Sequence, residues 1–216
     1  MKLRSLTCNF VKQNNGNERW ETSGEKYKAA GVWSVIRPKK GKVTWHKLVW
    51  STFNVPKHAF ISWLAVQNRL PTKDRLRAWG IVMDGRCAFC NEHETRDHLF
   101  FGCPFTKELW TKVLQMSGLQ RKVLTWDQEL EWAVKKLRGK ALISNLLKIA
   151  WSALIYNIWR ERNCRTYAQK TGSPEQILNN VIEAVRCRLS RLTKVKNDAV
   201  NNFLYKSWGL HDSIFT

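Results

Sequence analysis

Four metal-ligating side chains crowd into one short stretch in the order Cys87-x2-Cys90-x7-His98-x4-Cys103, and no other feature restricts the fold of this chain as sharply. Two cysteines separated by two residues can wrap one cation as a small knuckle, and the later pair completes a tetrahedron. Soft thiolates with an imidazole select zinc over magnesium or calcium. Three thiolates and one imidazole fill all four positions of a tetrahedral ion, which leaves none for water, so the expected cofactor is one structural zinc ion. His93 competes with His98 for the fourth position, but it follows Cys90 by only two residues, and the wider spacing favours His98. Without a metal, the same thiols would pack as small hydrophobes. Cys8, Cys164 and Cys187 stand apart from the cluster and read as inert thiols.

Charge sets the next constraint. The chain carries 37 lysines and arginines against 17 acids, a formal charge of +20. A field of that sign attracts polyanions, and nucleic acid is the expected partner. The excess is no detachable tail, because residues 1–120 hold 20 bases and 9 acids and residues 121–216 hold 17 and 8. It is locally strongest between Glu25 and Asp74, where no acid occurs. The nucleic-acid-binding candidates are Arg37, Lys39, Lys40, Lys42, Lys47, Lys57, Arg69, Lys73, Arg75 and Arg77. The first four flank Pro38 and Gly41 in an expected loop, where flexible cations could neutralise phosphates and release counterions. The alternative use of such a run is a solvated face that serves solubility.

Met1–Phe10 has no apolar run of signal-peptide length. The most apolar stretch, Leu142–Trp159, is interrupted by Asn145, Lys148 and Asn157, which suits a buried helix better than a membrane span. The expected setting is therefore intracellular and nuclear, with no membrane partner. Six cysteines in a reducing compartment argue for metal or free thiols before disulfides.

The expected fold class is mainly α: a helical array with a small CCHC zinc loop inserted between helices, followed by long C-terminal helices. Residues 1–32, with Asn14-Asn15-Gly16-Asn17 and Thr22-Ser23-Gly24, read as an extended or loosely ordered lead-in. Residues 33–116 make a zinc-binding domain and 117–216 a helical C-terminal region. From Thr44, Trp45, Leu48 and Val49 share one helical face, and after Pro56 a second face holds Phe60, Ile61, Leu64 and Ala65. Lys73–Trp79 forms a third helix closed by Gly80 in a left-handed cap. Pro104 opens a helix through Trp110 and Leu114, Asp127 caps one that runs to Leu137, and Leu142–Tyr167 makes a long apolar helix. Ser173 and Pro174 start the last helix, with Ile177, Val181, Val185, Leu189 and Leu192 on its apolar face. Arg186, Arg188, Arg191, Lys194 and Lys196 give its basic surface.

Several stretches carry a family resemblance: Trp45-His46-Lys47-Leu48-Val49-Trp50, Pro56-Lys57-His58-Ala59-Phe60, and Arg69-Leu70-Pro71-Thr72-Lys73-Asp74-Arg75-Leu76. The cluster adds Cys87-Ala88-Phe89-Cys90, Glu94-Thr95, and His98-Leu99-Phe100-Phe101-Gly102-Cys103-Pro104-Phe105, with Trp110 following. Together they resemble the zinc-binding domain at the C-terminus of plant LINE-type reverse transcriptases, over roughly Trp33–Val113. Ile158-Trp159-Arg160-Glu161-Arg162-Asn163 is similar to a helix that trails this domain. The resemblance implies metal ligands at Cys87, Cys90, His98 and Cys103. It also implies a segment that helps a retrotransposon polyprotein hold its RNA or target DNA, with reverse transcriptase domains as partners in trans.

It does not imply catalysis by this chain. The six aspartates, at 74, 84, 97, 127, 198 and 212, are scattered, whereas two-metal phosphoryl transfer needs converging carboxylates. No Gly-rich phosphate loop and no nucleophile elbow occur, and His46 and His58 read as packed or surface histidines. A non-catalytic module that contacts RNA or DNA backbone is the expected function; a protein-interaction scaffold or degenerate retroelement fragment is the alternative. Trp45, Trp50, Trp63, Trp79, Trp110, Trp151 and Trp159 are spaced like core residues, while Trp20 and Trp33 are stacking candidates. Arg160 and Arg162 are expected beside Glu161 as a salt-bridge partner.

Overall fold

The computed structural model describes residues 21–22, 25–26, 41 and 43–215. Cys8, Trp20, Trp33, Arg37, Lys39, Lys40 and Lys42 lie outside the described residues. Strands β1 (Glu21–Thr22) and β2 (Glu25–Lys26) pair antiparallel with Glu21 opposite Lys26 and Thr22 opposite Glu25. They belong to the unit Met1–Val43. Thr44–Thr216 is a second unit with its own core, and it carries the helices.

Those helices are α1 (His46–Val49), α2 (Pro56–Val66), α3 (Lys73–Ala78), α4 (Pro104–Met116), α5 (Trp126–Lys136), α6 (Leu142–Asn163), α7 (Pro174–Leu189) and α8 (Ala199–Trp208). Wide π-type turns at His98–Gly102 and Cys164–Ala168 precede α4 and follow α6, and a 3-10 turn spans Asp212–Ile214. The protein is mainly α, with its cysteine and histidine loop between helices.

Proline sets three of the helix starts. Pro56, Pro104 and Pro174 each stand in a first turn, where the missing N–H costs no hydrogen bond. Ser173 caps α7 by accepting the Gln176 N–H at 3.2 Å. Gly80 closes α3 at φ +72°, in the left-handed conformation expected of it. Asp127 does not cap α5. Thr125 does, in a box where Gln128 Oε1 accepts the Thr125 N–H at 3.3 Å, and Asp127 sits exposed in the first turn beside the helix dipole.

Helix α6 is buried on nearly every side, with α2 and α7 against it, so its all-round apolar sequence is that of a central core helix. The polar residues that interrupt it turn to backbone carbonyls. Asn145 Nδ2 reaches Lys140 O at 3.1 Å, Lys148 Nζ reaches Gly139 O at 3.0 Å, and Asn157 Nδ2 reaches Ala153 O at 2.8 Å. A buried donor that finds such a partner avoids most of its desolvation cost. No helix of the described residues is long and apolar enough to cross a membrane.

Three expectations are corrected here. On α2 the buried face is His58, Ala59, Ser62 and Ala65, while Phe60 is 50% exposed and Ile61 and Leu64 are half-buried. Small side chains let α2 lie close on α6, and the large rings are displaced outward. Trp50 and Trp79 are exposed, at 44% and 54%, because each sits at the C-terminal end of a short helix and points past the core. Trp110, Trp151 and Trp159 are buried as expected, and Trp126 and Trp208 join them.

The third correction is at the end of the chain, where α7 is not the last helix. Asp198 caps α8 by accepting the Asn201 N–H at 3.0 Å, and Leu204 and Trp208 anchor it in the core. Gly209 ends it at φ +57°, and a Cβ there would run into the Arg186 guanidinium, which donates to Trp208 O at 2.8 Å. Only glycine meets both demands.

His58 is buried against the Tyr156 ring at 4.4 Å, and burial, with Lys57 and Arg188 nearby, lowers its pKa from 6.5 to about 4. An unfolded chain binds this proton first, so the stability tied to neutral His58 is complete above pH 6.5 and is lost as pH falls toward 4. The full loss is at most on the order of 3 kcal/mol. Replacing His58 by Gln should flatten the melting temperature between pH 7 and 5 relative to native protein, as read by circular dichroism; equal slopes would show that His58 is not the group responsible.

Candidate metal centre

Gly85–Glu94 folds as a narrow hairpin that carries the first two cysteines toward its tip. Glu94 N–H donates to Gly85 O at 2.8 Å, Cys87 N–H donates to Glu92 O at 2.7 Å, and Arg86 bridges His93 antiparallel. The Phe89 N–H then points at Cys87 Sγ, at 3.5 Å, as a knuckle requires. The other pair comes from the π-type turn. His98 opens it, Cys103 closes it with its N–H on His98 O at 2.6 Å, and Pro104 starts α4 at once.

The four ligand atoms lie within 4.8 Å of one another. Cys103 Sγ is 3.7 Å from Cys90 Sγ, and Cys90 Sγ is 3.2 Å from His98 Nε2. A zinc ion with bonds of about 2.3 Å to sulfur and about 2.0 to 2.1 Å to nitrogen demands tetrahedral edges of about 3.8 and 3.6 Å. These two edges match that size within a few tenths of an ångström, and every spacing among the four atoms stays within 4.8 Å. His93 lies on the far arm of the hairpin, exposed and outside this group.

The donors' proton affinities pull in opposite directions here. The hydrogen bond with Cys103, and then burial, push the Cys87 thiol well above the ordinary range. The same bond draws Cys103 down, helped by the Phe105 and Thr106 amides at the start of α4. Burial lowers His98 and so favours its neutral, metal-binding form. Cys87 and Cys103 are buried, while Cys90 and His98 keep a path to solvent. Phe89 and Phe105 stack beside the sulfurs at 4.7 Å with an interplanar angle of 5°, and the Arg165 guanidinium covers both rings at 4.8 and 5.0 Å.

One carboxylate fastens this loop to the helices. Glu94, fully buried, accepts from Arg162 Nη2 at 2.7 Å and from Arg162 Nε at 3.1 Å, and Arg162 is itself fully buried on α6. Glu94 Oε1 also accepts the Lys73 N–H at 2.8 Å, at the first turn of α3. The expected pairing of Arg162 with Glu161 is therefore corrected. Glu161 binds Arg165 at 2.8 Å and the Gly172 N–H at 2.7 Å, and Arg160 is exposed. Helical spacing between neighbours could not reveal a partner 68 residues away.

The cationic candidates divide by exposure. Lys47, Lys57, Arg69 and Arg77 are exposed, and the Arg77 guanidinium lies against Gly85 of the hairpin. Lys73 and Arg75 are half-buried and partly engaged, Lys73 with Asp84 at 3.3 Å and Arg75 with Asn68 O and the Trp79 ring. Arg86, which the charge count of the Arg37–Arg77 run did not include, is exposed on the same hairpin and paired with Asp84 at 3.0 Å.

Residues 27–110 match a family model described as zinc-binding in reverse transcriptase. The matched span is under half of the 216 residues and contains all four cluster residues and Glu94. The family is one of zinc binding and not of catalysis. Comparison with curated proteins and with solved structures yields no match.

Two substitution experiments follow from this geometry. His98→Asn should release the metal and lower the melting temperature, whereas His93→Asn should do neither, since structural zinc binding is folding energy; inductively coupled plasma analysis and melting of both variants decide it, and the reverse pattern would reassign the ligand. Arg162→Met strands a buried carboxylate and should cost about 3 to 5 kcal/mol in urea unfolding. A loss below about 1 kcal/mol would mean that the pair does not fasten the hairpin to α6.

Proposed function

We propose that the chain is a non-catalytic nucleic-acid-binding module, stabilised by one structural zinc at Cys87, Cys90, His98 and Cys103 and derived from a LINE-type reverse transcriptase. The donor set and its dimensions suit zinc, and the match over residues 27–110 supports the origin. Zinc bound there supplies folding energy and rigidity, not chemistry on a substrate.

One observation carries the binding reading. Lys47, Lys57 and Arg69 are exposed in a stretch that has no acid before Asp74, and Arg77, also exposed, follows it. Cations without acidic partners leave phosphate as the natural counterion, and contacts of this kind hold backbone without reading sequence. Arg37, Lys39, Lys40 and Lys42, which lie outside the described residues, extend the same run in sequence. RNA or DNA is the partner, reverse transcriptase domains act in trans, and the nucleus is the place where such a module meets target DNA.

A second reading has its own observation. Ile81 and Met83, 65% and 90% exposed between α3 and the hairpin, offer an apolar contact for a protein partner. Capture of a protein partner that survives nuclease treatment and is lost with Met83→Asp would favour that scaffold.

Filter binding across a salt series tests the first reading. Four phosphate contacts give a slope of log affinity against log salt of about −3 to −4. The double variant Arg69→Glu, Arg77→Glu should flatten that slope by about 2 on duplex DNA. A native affinity that is absent at low salt, or that ignores salt, would contradict the reading.

A further inference from the structure

The most exposed aromatic cluster of the helical unit belongs to α1 and α2, away from the cysteine and histidine group in sequence. Trp50 and Phe60 are 44% and 50% exposed, and both flank the half-buried Trp63, at 6.5 and 5.7 Å between ring centres. The rings are tilted to one another by 48° and 38°, so the group is a stepped surface and not a closed stack. In an ordinary amphipathic helix Phe60 would be turned inward. Here Ala59, Ser62 and Ala65 take that face, and the rings are left outside.

The charges carried by α1, α2 and the turn between them are of one sign. Lys47 stands three residues before Trp50 and Lys57 three before Phe60, one helical turn away in each case, and both are exposed. No acid occurs anywhere between Thr44 and Val66. An apolar face meant for an acid-free protein partner or for a second copy of this chain would gain nothing from these lysines, and two copies carrying +20 each would repel. A polyanion that also carries flat apolar faces satisfies both features at once. Unpaired nucleotides have that chemistry, whereas a duplex hides its base faces in the stack.

We infer that Trp50, Phe60 and Trp63 form a stacking platform for unpaired bases of RNA or DNA, with Lys47 and Lys57 holding the flanking phosphates. This deepens the proposed function and rests on it, since it assigns the single strand as the preferred substrate and the bases as the source of the preference. Duplex is bound through phosphates alone.

An oligothymidylate 15-mer and an abasic 15-mer with the same phosphates separate stacking from charge. The native chain should bind the base-bearing strand about tenfold more tightly, since one stacked base contributes a factor of that order. Trp50→Leu and Phe60→Leu keep apolar volume at exposed positions and should each remove most of that preference while leaving abasic binding unchanged. Equal native affinity for the two strands, or a preference that survives both variants, overturns the platform and leaves the charged-surface reading standing. Absence of native binding to either strand overturns both. Sedimentation of the free chain as a dimer that Phe60→Leu dissociates would assign the face to a second copy and overturn the platform as well.

Discussion

A carboxylate removed from water has to be matched by a cation and by hydrogen-bond donors, and at Glu94 that requirement organises the helical unit. Its two oxygens are met by Arg162 from the end of α6 and by the Lys73 amide from the start of α3. The backbone of the same residue closes the hairpin through Gly85 and holds the Asp74 amide at 3.2 Å. One side chain thereby fixes the cysteine hairpin, the third helix and the long central helix to one another. Such a pair adds less net stability than its Coulomb energy suggests, because both ions were well solvated before folding. Its effect is on register: only one placement of the hairpin brings Glu94 to Arg162.

The cysteine and histidine group is built on that placement from the other side. Cys103 ends the π-type turn and starts α4, so the fourth ligand is fixed by a helix whose Leu109, Trp110, Val113 and Leu114 are buried in the core. Arg165, one turn beyond the central helix, covers the Phe89 and Phe105 rings beside the sulfurs. Hairpin and helix approach each other from two separately anchored elements, and a cation shared among their four donors would join them directly. A second buried carboxylate, Glu129, works in the same way on the opposite end of α4: Arg121 grips it at 2.6 and 2.7 Å and Trp110 Nε1 at 3.0 Å.

Much of this was legible in the sequence wherever a short-range rule applied. Cysteine spacing singled out the group that the structure brings together, and Pro56, Pro104, Ser173 and Gly80 marked helix ends correctly. Asp127 is as good a cap by type as Thr125, and only the reach of Gln128 separates them. Helix α8 was missed because it rests on just Leu204 and Trp208, with Val200 and Phe203 left outside. The outward rings of α2 and the Glu94 to Arg162 pair were not legible at all, since each depends on which neighbour the helix meets and not on its own period.

The account holds that three sulfurs and one imidazole share a single zinc ion. Zinc-edge X-ray absorption on the purified full chain tests this most directly. The expected shell is three sulfurs at about 2.3 Å and one nitrogen at about 2.0 to 2.1 Å, at one zinc per chain. A folded chain that holds no zinc, or a shell made of oxygen and nitrogen, would contradict it.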